Sequence, residues 1–146
     1  MKMYRTLLSI LPLLLLAGCA NHGPFRADTQ FVDGIVLLDG EPVAHAIVQF
    51  VPSGDEGELA TGLTDENGRF NLTSLYGNRG RGALRGTYKV LVSKDQSDWV
   101  IDPRTGEGHT VATPLLPAIY LDEATTPFEV TIQRGRNRVS LELQSR

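Results

Sequence analysis

The stretch FVDGIVLLDGEPVAHAIVQFVP, residues 31–52, decides the fold class. It opens with a mostly apolar run from Phe31 to Leu38, closed by Asp39-Gly40, a dipeptide suited to a tight turn. Beyond the turn, residues 46–51 alternate: Ala46, Val48 and Phe50 fall on one face, Ile47, Gln49 and Val51 on the other. A period of two marks a strand, because successive side chains point to opposite sides of the sheet. Pro52 closes the second run, since proline has no N–H to give to a ladder.

The same grammar continues outward. LATGLT (59–64) and RFNLT (69–73) flank Asp65-Glu66-Asn67-Gly68, which reads as a hairpin connection whose glycine supplies positive φ. GTYKVLVSK (86–94) turns Tyr88, Val90 and Val92 to one face. FEVTIQ (128–133) does so with Phe128, Val130 and Ile132, and RVSLEL (138–143) with Val139, Leu141 and Leu143. Arg134-Gly135-Arg136-Asn137 between them reads as a hairpin turn. No long window has a helical period. About seven strands over residues 31–146 predict an all-β chain folded as a single antiparallel Greek-key β-sandwich.

The N-terminal part reads differently. A basic start with Lys2 and Arg5 leads into an apolar run from Thr6 to Leu16 and then the small residues Ala17 and Gly18. That run is about half of what a membrane-crossing helix needs, and the order of parts is that of a secretory signal peptide over residues 1–18. The single cysteine of the chain, Cys19, follows at once and has no intrachain partner for a disulfide. Leu16-Ala17-Gly18-Cys19 resembles the bacterial lipobox. The resemblance implies diacylglyceryl transfer to the Cys19 thiol, cleavage before it and acylation, by a fatty acid such as palmitate, of the freed amine. More than one acyl chain gives stable membrane attachment. Residues 19–30 then serve as lipidated cysteine and tether, reaching at most about 40 Å. Ala20, rather than Asp, follows the cysteine, and that pattern implies the outer membrane of the cell envelope over the inner one.

Three segments taken together, GIVLLDGEPVAHAIVQFVP (34–52), ATGLTDENGRFNL (60–72) and GALRGTYKVLVSK (82–94), resemble the carboxypeptidase regulatory-like domain. The resemblance implies a transthyretin-like sandwich over residues 31–146 and an accessory role without catalysis. Gly40 and Gly68 would sit in its turns, and Phe50, Phe70 and Tyr88 would anchor its core. A fold does not carry an activity with it.

The chain has 14 basic and 17 acidic residues, a formal net charge of −3, and no basic block suited to nucleic acid. His22, His45 and His109 are scattered, without paired metal-ligand spacing, so no metal and no cofactor is expected. Asp65-x-Asn67-Gly68 lacks the later acidic ligands of a calcium loop and reads as a turn. No serine lies in Gly-x-Ser-x-Gly. The transthyretin-like purine-pathway hydrolase ends in Tyr-Arg-Gly-Ser, whereas this chain ends Leu143-Gln144-Ser145-Arg146. Pilin-type sandwiches stapled by a Lys–Asn isopeptide bond usually take the lysine from the first strand, and residues 31–38 hold none. The chain is therefore expected not to be an enzyme. A small hydrolase or metal-dependent enzyme on the same sandwich and a purely structural spacer are the alternatives.

Two stretches carry the binding expectation. SLYGNRGRGALRG (74–86) concentrates Arg79, Arg81 and Arg85, which suit phosphates or carboxylates, although a solvated loop is the plainer reading. DQSDWVIDPRTGEGHTVATPLLP (95–117) reads as a long connection carrying the only tryptophan, Trp99. An exposed Trp99 would stack on sugar rings or anchor a protein contact. The expectation is that it packs over an open edge or end of the sandwich. The partner implied is an envelope protein or polysaccharide near the membrane.

Overall fold

The computed structural model describes residues 29–75 and 81–146, so Cys19, His22 and Arg79 lie outside the described residues. The described chain is all-β, with antiparallel pairing predominating. Its strands are β1 (Phe31–Leu38), β2 (Glu41–Pro42), β3 (Ile47–Pro52), β4 (Ala60–Leu63), β5 (Arg69–Asn71) and β6 (Thr73–Ser74). They are followed by β7 (Gly86–Ser93), β8 (Asp95–Ile101), β9 (Gly108–Pro114), β10 (Glu129–Ile132) and β11 (Arg136–Leu143). A short 3₁₀ turn, Ala118–Tyr120, lies between β9 and β10.

Three sheets form. In the first, β11 and β1 are neighbours and both β2 and β5 pair along the other side of β1. The second runs β10-β7-β3-β4-β6, and the third is the two-stranded β8-β9. The first two share one core. Val32, Val36, Phe70, Leu141 and Leu143 come from one sheet, and Val48, Phe50, Tyr88, Val90 and Val92 from the other, all of them buried. Phe50 bridges the layers, its ring 6.4 Å from Phe70 and 5.9 Å from Tyr88. Burying side chains of this size contributes about 1.5–3 kcal/mol each. Burial also lifts the Tyr88 hydroxyl above its ordinary pKa, while the hydroxyl donates to the Leu84 carbonyl at 2.8 Å.

The alternating faces read from the sequence are those observed, but several pairings differ. The chain runs Asp65–Gly68 as a closed turn, with the Asp65 carboxylate accepting the N–H groups of Asn67 and Arg69, each at 2.9 Å. Its strands nevertheless part: β4 pairs with β3 and β6, and β5 with β1. RFNLT is itself divided, because the chain changes sheets at buried Leu72, whose N–H donates to the Val32 carbonyl.

The expected last hairpin is corrected in the same way. The Asn137 amide closes the turn by donating to the Gln133 carbonyl at 2.9 Å, yet β10 joins β7 while β11 joins β1. The β1–β11 ladder is parallel, with Phe31 beside Arg136 and Leu38 beside Leu143, so the sheets are not purely antiparallel. Local turn chemistry fixes where a chain reverses; the faces to be buried fix which neighbour it meets.

Gly34 shows how closely the first sheet packs. A Cβ there would sit 2.5 Å from both the Phe70 ring and the Val139 carbonyl oxygen.

Candidate functional site

Residues 95–114 are not an irregular connection. β8 continues the line of β7 through Lys94, past the end of β3, whose ladder with β7 stops at Ile47 beside Ser93. β9 returns antiparallel to it, from Ile101 beside Gly108 to Asp95 beside Pro114. The root is tied by the Leu115 N–H donating to the Lys94 carbonyl at 2.8 Å, and Leu116 then re-enters the core.

The tip is closed twice. Asp102 N–H donates to the Glu107 carbonyl at 2.9 Å, and Gly106 N–H donates to that of Asp102 at 2.8 Å. The Asp102 carboxylate also accepts the Arg104 N–H at 2.7 Å.

All seven residues of each strand are exposed. The earlier expectation for Trp99 is thereby corrected: it is 69% exposed and does not cover an edge of the core. Its indole lies against Gly108, where any Cβ would collide with Cζ2, Cε2 and Nε1. Trp99 and Ile101 share one face of the hairpin with Ala112 and Pro114, while Val100 and Val111 are on the other. Exposed apolar residues standing singly are ordinary, but a tryptophan flanked by Val100 and Ile101 on a two-stranded ribbon is not.

The other candidates are not brought to the hairpin. Arg81 is exposed where the chain bridges back to Thr73, and the neighbouring Ala83 is tied to Gln30 through both backbone groups, at 2.7 and 3.0 Å. Arg85 lines a separate open groove with Asp55, Glu56 and Thr131. His45, in a turn at φ 57°, faces Glu66 at 3.0 Å, and His109 lies on β9. Among the described residues no three metal-ligating side chains converge.

Asp39, in the β1–β2 turn, is held below the ordinary carboxylate range by hydrogen bonds from Ser145, the side chain first and then the backbone N–H at 3.2 Å. A denser cluster of cations was not singled out from the sequence. Arg136 and Arg138 of β11 and Arg69 of β5 line one groove around Asp33 of β1.

Neither a family model nor a curated protein matches the chain. Among solved structures it is similar to a 9R-lipoxygenase from Cyanothece PCC8801, at 10% identity and a TM-score of 0.38. The likeness covers 80% of this chain and 16% of the lipoxygenase.

Proposed function

We propose that this chain is a lipid-anchored protein of the bacterial cell envelope, held by acylated Cys19 and favouring the outer membrane. Its two-sheet body is then a transthyretin-like Greek-key sandwich of the carboxypeptidase regulatory-like kind. It acts without catalysis, as an interaction module. The observation that carries the interaction reading is the β8–β9 hairpin, exposed on both faces and bearing Trp99, Val100 and Ile101. Aromatic anchors of this kind supply much of the free energy of protein contacts and stack well on sugar rings. The lipobox reading of Leu16-Ala17-Gly18-Cys19 supports placement at the membrane, where a tether lets the hairpin meet an envelope protein or polysaccharide.

Cross-linking in intact cells, followed by mass spectrometry, tests the contact. Wild type should give a discrete partner that disappears in Trp99→Ala/Ile101→Ala. An unchanged cross-linking pattern in that variant removes the hairpin from the reading. Labelling with radioactive palmitate tests the anchor separately: wild type should incorporate it and Cys19→Ser should not.

A further inference from the structure

The arginine cluster stands on a face that the hairpin does not share. On the first sheet, β1 turns Val32 and Val36 into the core and leaves Asp33 and Ile35 on the outer side. On β11 the core takes Leu141 and Leu143, which leaves Arg136, Arg138 and Ser140 outside, and on β5 Phe70 is inside and Arg69 outside. The ladders place Arg138 beside Asp33, and both Ser140 and Arg69 beside Ile35, from opposite sides. Arg69 and Ser140 are thus two strand spacings apart, about 10 Å. The groove between them is open and holds about 520 Å³.

Within it the charges are arranged unequally. Asp33, whose side chain is 26% exposed, accepts from Arg136 Nε at 2.8 Å on one oxygen and faces Arg138 Nε at 3.7 Å with the other. The Arg136 guanidinium also stands 4.8 Å from the centre of the Phe31 ring. Both contacts to Asp33 run through Nε and leave the terminal guanidinium nitrogens unused by them. Arg69, across β1, has no ion pair among the described residues. Three guanidinium groups around one carboxylate leave an excess of two positive charges, on a chain whose formal net charge is −3.

We propose that this groove binds a phosphate group carrying two negative charges. Arg138 and Arg69 would grip it from the two sides, Ser140 adds a hydroxyl donor, and Asp33 acts as a positioning residue that holds the Arg136 and Arg138 forks. Guanidinium groups match phosphate oxygens in paired hydrogen bonds. A phosphate monoester carries about −1.5 to −2 at neutral pH, which balances the excess, whereas a single carboxylate carries only one charge. Asp33 repels any anion, but both its oxygens are already engaged, so the net field of the groove stays positive. The groove is larger than a bare phosphate and open to the side, so the group can be borne on a lipid headgroup or belong to a soluble phosphorylated compound.

Isothermal titration of the purified full-length protein with pyrophosphate, at low ionic strength, tests this. Saturable binding with one site per chain is expected, weakened about tenfold or more in Arg138→Gln and in Arg69→Gln. Arg134→Gln, outside the groove, should bind as wild type does. All three positions are exposed, and far-ultraviolet circular dichroism checks that each variant is folded. Short-chain phosphatidic acid, used below its micelle concentration, separates the sources. Binding tighter than that of pyrophosphate and lost in the same variants assigns a lipid headgroup; weaker binding assigns a soluble compound. No saturable binding in wild type, indifference to both groove substitutions, or malonate binding as tightly as pyrophosphate would overturn the proposal.

Discussion

The two-sheet body and the β8–β9 hairpin are built from the same element and obey opposite rules. In the body the long strands bury residues of one face: Tyr88, Val90 and Val92 of β7 are sealed, and their neighbours only half so. One residue later, beyond Lys94, the chain enters β8 and buries none. Both are hydrogen-bonded into ladders, although β8 and β9 pair only with each other. What differs is the apolar surface, most of which the body hides in its own core and the hairpin leaves in solvent. Buried packing is therefore concentrated in one region, and fully exposed strands in the other.

The largest break in that contrast should come from the core. Phe50→Ala removes the ring that touches Phe70 and Tyr88 and should cost about 3–5 kcal/mol, read from the chemical denaturation midpoint. Next is Thr64, buried, whose hydroxyl donates to the Val43 carbonyl and accepts the Ala46 N–H, each at 2.7 Å. Thr64→Val leaves that N–H buried and unpaired, an expected loss of about 1–3 kcal/mol. Removing the hairpin should do far less. Joining Asp95 to Pro114 through Asn-Gly keeps the paired root. It should shift the midpoint by less than about 1 kcal/mol. A loss as large as that of Phe50→Ala would show the hairpin to be part of the fold.

The smaller effects are pH-dependent. The Tyr88 pKa is raised in the folded chain, so its contribution is full below the ordinary tyrosine value of 10.0 and declines as pH rises through the higher folded value. Tyr88→Phe should abolish this alkaline decline. The Asp39 pKa is lowered instead, so its bond to Ser145 persists above the ordinary carboxylate value of 3.8 and fails as pH falls through the lower folded one. Amide exchange at Ser145 should rise there, with little change in global unfolding.

The lesson for sequence reading follows from the same contrast. Strands with one buried face were legible: residues 31–38 were read to the residue, and the buried faces of β3, β7, β10 and β11 were read correctly. The sequence DQSDWVI was not read as a strand because neither of its faces is buried, and period-two patterning arises only from burial. A signal was present in Asp102-Pro103-Arg104-Thr105-Gly106, a turn-forming run between two β-compatible segments. The arginine groove left no such trace, because Asp33, Arg69 and Arg138 are far apart in the chain and meet only across three strands.

By itself, then, the sequence determined the class of structure, the buried faces of the main strands and the turns that join them, since side-chain alternation and turn chemistry are local. Only the tertiary structure decided that β1 runs parallel to β11, that β4 and β5 part after their shared turn, and that Trp99 stands in solvent. Alternation is the same whichever neighbour a strand takes and in whichever direction. The choice belongs to the packing of two whole sheets around Phe50 and its neighbours, a property that no single segment carries.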